Sequence, residues 1–213
     1  MGIAGTALAA LAGMLKDAGY TVTGSDKAVY PPMSTYLESL GIPVMEGFVA
    51  SNLDHRPDLV VVGNVVRAVY DEATALLASD IPYMSFPEVL GHLFLADAHN
   101  IVVAGTHGKT TTTSITAWLL SSAGREPGFL VGGIAKNFDR TARTGAGTHF
   151  VIEGDEYDTA FFDKGPKFLH YRPVTAVLTS VEFDHADIYP DIEAVRKAFL
   201  KLMGRLPPDG MLF

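Results

Sequence analysis

Short apolar runs alternate along this chain with stretches in which apolar positions return every three or four residues. Leu8, Leu11 and Leu15 share one helical face, Gly19 closes that helix, and Tyr20-Thr21-Val22-Thr23 reads as a strand ending at Gly24-Ser25-Asp26. The pattern predicts strands at Val44-Met45, at Leu59-Val60-Val61-Val62 and near Tyr83-Met84, and helices over 70–78 and 87–95. Around 97–100 it restarts with a buried strand, Ile101-Val102-Val103-Ala104, and a helix over 112–120. Further strands are predicted at Phe129-Leu130-Val131, 149–152 and 174–178, and a helix over 192–203. Strands separated by helices imply an α/β fold with a parallel sheet, and the restart predicts two domains, 1–97 and 98–213.

Each half opens on a glycine loop. Gly2-Ile3-Ala4-Gly5-Thr6 leads into a helix and then a strand with an acidic end, the last two thirds of a nucleotide-binding βαβ unit. The first strand of that unit is not in the sequence, so Met1 is expected to lie inside a longer natural chain. The second loop, Gly105-Thr106-His107-Gly108-Lys109-Thr110-Thr111, follows a strand and opens a helix, the setting a phosphate-binding loop requires. Its backbone N–H groups suit phosphate oxygens, Lys109 adds a point charge, and the Thr110 hydroxyl suits Mg²⁺. Val103 stands where the strict form of that motif has its first glycine. Downstream, Glu153-Gly154-Asp155-Glu156-Tyr157-Asp158 ends a strand in four carboxylates, and Thr179-Ser180-Val181-Glu182-Phe183-Asp184-His185 ends another in acids and a histidine. In a parallel sheet these ends share an edge with the phosphate loop, so Glu153 and His185 are the candidate cation ligands. Asp155, Glu156 and Asp158 read equally well as a solvated acidic loop.

Composition narrows what such a site can do. Lys and Arg total 16 against 24 Asp and Glu, a formal charge of −8 that repels nucleic acid and anionic membrane, so any anion must be held by local devices. There is no cysteine, which excludes disulfides, zinc knuckles and a thiol nucleophile and suits a cytoplasmic protein. No segment has the roughly 18 consecutive apolar residues of a membrane span. The apolar start lacks the basic flank of a signal peptide, and its Met-Gly start fits a loose acylation pattern whose glycines serve better in the first loop.

Taken together, these segments resemble the Mur ligase family of ATP-dependent, amide-forming enzymes. The phosphate loop of that family is itself shorter than the strict pattern, which accounts for Val103. The segments Tyr30-Pro31-Pro32-Met33-Ser34-Thr35, Ile81-Pro82-Tyr83-Met84-Ser85, the run from Glu153 to Lys164, and Glu182-Phe183-Asp184-His185-Ala186-Asp187-Ile188 are similar to one branch in particular. That branch joins UDP-N-acetylmuramate to the cell-wall tripeptide L-alanyl-γ-D-glutamyl-meso-diaminopimelate, in peptide recycling. The resemblance implies a Rossmann-like parallel-sheet domain for the UDP-sugar, part of a P-loop ATPase α/β domain, and a C-terminal domain beyond residue 213. It implies that Gly105, Thr106, His107, Gly108, Lys109, Thr110 and Thr111 bind ATP, with Lys109 on the β- and γ-phosphates. Thr110 and Glu153 would hold one Mg²⁺ and His185 a second. Gly2, Ile3, Ala4, Gly5 and Thr6 would cradle the UDP pyrophosphate through backbone N–H groups, with Ser25, Asp26 and Asn64 as further nucleotide contacts. Some members carry a carbamylated lysine fifteen residues past the histidine; here that position is Leu200, so the chain resembles the branches without it. The implied chemistry converts the muramic acid carboxylate to an acyl phosphate that an amine attacks, and needs no side-chain nucleophile.

Three other readings compete. The related ligase that adds free L-alanine shares the donor and the chemistry. A noncatalytic sensor of UDP-sugar and ATP has no use for a second cation. A dinucleotide oxidoreductase is opposed by the second phosphate loop and by the spacing of the first.

Overall fold

Helix α1 (Thr6–Asp17) forms where the spacing predicts a helix, but it is buried all round over Ala9–Met14, and of the predicted face only Leu11 is fully buried while Leu8 and Leu15 are half-buried. The computed structural model describes residues 1–183 and 189–213 and divides into two compact units. The first, Met1–Val89 with Asp158–Lys164, holds β1 (Gly24–Asp26) paired parallel with β2 (Val44–Glu46), and β3 (Val60–Val62) paired parallel with β4 (Tyr83–Ser85). The opening residues tie the two pairs together. The Gly2 and Ile3 N–H groups donate to Ser25 O at 2.8 and 3.1 Å, while Met1 donates to Val61 O at 2.8 Å and accepts from Gly63 N–H at 3.1 Å. Gly24 permits this closeness, since a Cβ there would stand 2.3 Å from Ile3 Cδ1. Helix α2 (Met33–Ser39) joins α1 over a cluster of Ile3, Ala9, Ala12, Leu37 and Ile42, and α3 (Asp71–Leu77) closes another with Val62, Leu76 and Ile81.

The second unit is Leu90–Tyr157 with Gly165–Phe213. Its strands are β5 (His99–Ala104), β6 (Gly128–Ala135), β7 (Arg140–Arg143), β8 (His149–Gly154), β11 (Thr175–Leu178) and β12 (Met211–Leu212), in the order β12-β11-β5-β8-β6-β7. Between β8 and β11 in sequence, β9 (Asp158–Ala160) and β10 (Asp163–Pro166) pair with each other. Every neighbour in the six-stranded sheet is parallel except β6 with β7. The register sets Ala104 opposite Gly154 on one side and Leu178 on the other, so β5, β8 and β11 end together. Helix α5 (Lys109–Ser122) packs Ala117 on Val103, Phe129, Val131 and Val151. Helix α6 (Ile192–Met203), capped by the Asp191 carboxylate accepting from Ala194 N–H, buries Val195, Ala198, Phe199 and Leu202.

Several expectations shift. The strand predicted from Tyr20 and ending at Gly24-Ser25-Asp26 forms only over that end, Gly24–Asp26, where the glycine allows β1 to approach Ile3. Helix α5 starts at Lys109 rather than 112, because Gly108 takes a left-handed turn (φ 82°) and the helix follows at once. By packing alone, the compact units divide at Val89/Leu90, inside helix α4 (Phe86–Leu93). Gly91 lies so near His170 that a Cβ would stand 2.6 Å from its carbonyl oxygen, which ties the second half of α4 to the second unit. Residues Asp158–Lys164 belong to the first unit, where Phe161 packs against its β3–α3 cluster. β7 gives the sheet an antiparallel edge that the parallel pattern does not foretell.

Candidate nucleotide and metal site

The phosphate loop is built by close approach. Gly105 has φ 126°, and a Cβ on it would stand 2.3 Å from Thr179 Oγ1 and 2.8 Å from Ser180 N, so this position excludes any side chain. The loop is laced to the end of β11: Thr106 N–H donates to Ser180 O at 3.0 Å, His107 N–H to Ser180 Oγ at 3.1 Å, and the Thr179 hydroxyl to His107 O at 2.5 Å. The Thr106 hydroxyl accepts from Glu182 N–H at 2.9 Å. Helix α5 then begins without a side-chain cap, and the N–H groups of its first turn form the positive end of the helix dipole.

Two acids from the end of β8 meet this loop. Glu153, 9 % exposed, accepts from the Thr110 hydroxyl at 3.1 Å and from Gly132 N–H at 2.6 Å. Burial pushes its carboxyl above the usual range; the Gly132 and Thr110 hydrogen bonds and Lys109 pull the other way. A carboxylate that is costly to ionise, beside a hydroxyl oxygen, is a donor pair that fits a hard divalent cation such as Mg²⁺. Glu156 forms a buried ion pair with Lys109 at 3.2 Å, and Lys109 also donates to Gly105 O at 2.7 Å. Asp155 pairs with Lys167 at 3.2 Å. Burial and the charges of Asp155 and Glu153 push the Tyr171 hydroxyl well above its ordinary range. Of the acids the sequence leaves open, Glu156 is thus buried at the loop lysine rather than solvated. No local signal distinguishes it from Asp155 or Asp158. His185 lies outside the described residues.

The N–H groups of the first glycine loop meet acceptors within the protein. Gly2 and Ile3 donate their N–H groups to Ser25, Ala4 donates to Asp26 Oδ2 at 2.8 Å, and Gly5 donates to Gly2 O at 3.2 Å. Four of the five N–H groups assigned to a pyrophosphate are therefore spent within the protein, and Thr6, at the uncapped start of α1, stays as the candidate donor. Asp26 acts as the acceptor that shapes this turn. Ser25 is 1 % exposed, and its hydroxyl donates to the buried Glu72 at 2.9 Å, where Asn52 donates to the other carboxylate oxygen at 3.0 Å. Asn64 is exposed in the turn after β3. No described helix is long and apolar enough to cross a membrane.

Comparison with known proteins finds relatives along the whole chain. The chain is 47% identical over 212 residues to the UDP-N-acetylmuramate–L-alanyl-γ-D-glutamyl-meso-2,6-diaminoheptandioate ligase of Escherichia coli K12, covering 100% of this chain and 46% of that protein. It is 38% identical, over 99% of its length and 43% of the relative's, to the UDP-N-acetylmuramate–L-alanine ligase of Syntrophomonas wolfei. The chain thus spans about half the length of the curated relatives it matches. A crystal structure of a UDP-N-acetylmuramate:L-alanyl-γ-D-glutamyl-meso-diaminopimelate ligase from Neisseria meningitides superposes with a TM-score of 0.94 at 48% identity, over 99% of this chain and 68% of that one. Residues 1–97 match the Mur ligase family, catalytic domain, and residues 103–213 match the Mur ligase middle domain. With one domain model of that family matching residues 1–97 and another matching 103–213, more than half of the chain, the chain belongs to the Mur ligase family.

Proposed function

We propose that this chain supplies the donor-binding and nucleotide-binding parts of an ATP-dependent ligase joining UDP-N-acetylmuramate to L-alanyl-γ-D-glutamyl-meso-diaminopimelate through an acyl phosphate. The carrying observation is the convergence of Lys109, Thr110 and Glu153 at the ends of β5 and β8. Lys109 countercharges the β- and γ-phosphates, and the first-turn N–H groups of α5 donate to phosphate oxygens. Thr110 and Glu153 hold the Mg²⁺ of the nucleotide, and His185 holds a second. Bound there, Mg²⁺ supplies countercharge to the phosphoryl group in transfer. The first 97 residues take the UDP-sugar, with the Thr6 N–H group and Asn64 among the contacts. The rest forms the ATPase domain, and a cytoplasmic enzyme without cysteine chemistry suits these substrates.

The tripeptide is preferred to L-alanine as acceptor because identity is higher to the tripeptide ligase, 47% against 38%. The test has two parts. Calorimetry on this chain measures UDP-N-acetylmuramate and Mg-ATP binding. Product formation, with the tripeptide or L-alanine offered, is measured on a protein that carries this chain with the further sequence of its relatives. Failure to bind either nucleotide sinks the proposal, and a preference for L-alanine moves it to the neighbouring ligase.

A further inference from the structure

Lys109 is held from three directions. Its ammonium faces Gly105 O at 2.7 Å, Thr106 O at 3.4 Å, and the Glu156 carboxylate at 3.2 and 3.4 Å. An ammonium group has three protons, so these acceptors use its whole donor set. Glu156 is 2 % exposed, and its main-chain carbonyl accepts from the Tyr189 hydroxyl at 2.7 Å, which fixes the point from which the side chain reaches Lys109. Around them, the carboxylates of Glu153, Asp155 and Glu156 face the two ammonium groups of Lys109 and Lys167. With all five ionised, these described groups together carry a single negative charge.

Phosphate binding at Lys109 and the full Lys109–Glu156 contact exclude each other, because a phosphate oxygen has to take a donor that the carboxylate now uses. A polyphosphate arriving alone must then sit beside the displaced Glu156 in a poorly solvated place, where like charges repel strongly. A polyphosphate arriving with a divalent cation carries its own compensation and meets Glu153 as a ligand rather than as a repelling charge. Resting on the nucleotide reading above, we propose that Glu156 is a positioning residue that makes the loop lysine selective for cation-complexed nucleotide over bare polyphosphate. The negative charge that makes Glu156 a good partner for Lys109 also makes it a competitor for any uncompensated phosphate.

The test is a calorimetric titration of the 213-residue chain with ATP in excess chelator and with Mg-ATP, comparing Glu156→Gln and Glu156→Asp. Glu156→Gln, which keeps the shape and removes the charge, is expected to tighten bare ATP binding about tenfold, the scale separating a charge-assisted from a neutral hydrogen bond. Its Mg-ATP affinity should change far less. Glu156→Asp keeps the charge and should hold bare ATP near the unaltered affinity, an outcome that a merely structural role does not produce. Tyr189→Phe, which loosens the anchor without touching the carboxylate, should shift the same ratio in the same direction by a smaller factor. Bare ATP binding unchanged in Glu156→Gln would overturn the proposal. So would weaker Mg-ATP binding with bare ATP unaffected, since Glu156 would then be a metal ligand. Absence of both kinds of binding in the unaltered chain would overturn the nucleotide reading and this inference with it.

Discussion

Replacing each loop glycine by alanine separates conformational demand from close packing. Gly108 has φ 82° and open space where a Cβ would stand, so Gly108→Ala carries only the left-handed penalty, about 1–2 kcal/mol. Gly105 has φ 126°, and its Cβ would in addition meet Ser180 N at 2.8 Å and Ser180 O at 2.9 Å, the oxygen being held by a hydrogen bond from Thr106 N–H. Overpacking of that kind adds about 1–3 kcal/mol, so Gly105→Ala should cost about 2–5 kcal/mol in all. The single tryptophan, Trp118, lies on α5 with its ring 5.6 Å from Phe138, and its fluorescence reports the second unit. With urea slopes of about 1–3 kcal/mol/M, the two variants should melt with midpoints about 1 M apart, Gly105→Ala the lower. Coincident midpoints would refute the close approach of β11 to the loop.

Lys109→Ala should abolish Mg-ATP binding and leave UDP-sugar affinity within about 0.5 kcal/mol, as expected of independent sites; calorimetry with each ligand decides. Because burial holds the Glu153 carboxyl above its ordinary 4.5, the folded chain binds that proton more tightly than the unfolded one. That contribution is complete below pH 4.5 and lost as the pH rises through the raised value. Without divalent cation, the unaltered chain should therefore lose stability relative to Glu153→Gln above pH 4.5, and parallel denaturant midpoints across the range would contradict this. Ser25→Ala deprives the buried Glu72 of a donor and should destabilise the first unit by about 1–3 kcal/mol, followed by circular dichroism. In a complete ligase, His185→Ala should fall mainly on kcat; a change within about twofold, less than roughly 0.5 kcal/mol, would remove its metal role.

What the sequence determines on its own is local. The strand, glycine loop and helix from Ile101 onward announce the phosphate site, because a buried strand, a turn that needs glycine and a helix start are each written in neighbouring residues. Glu153 was legible for a related reason: it ends an apolar run, and a parallel sheet brings strand ends to one edge. Helix α6 matches its predicted span for the same cause, an apolar stripe bounded by a capping aspartate and a glycine. The tertiary structure alone decided which of the following acids does what. Glu156 meets Lys109 across 47 positions of sequence, and its burial depends on how the chain turns after β8, which no pattern in its neighbours encodes. Ser25 likewise faces inward because it and Asn52 converge on Glu72 from distant elements, and the first loop spends its N–H groups on β1 because Gly24 leaves room for the Ile3 side chain. Short-range periodicity records which face of an element is buried, whereas the partner of a buried charge is set by packing between elements far apart in sequence.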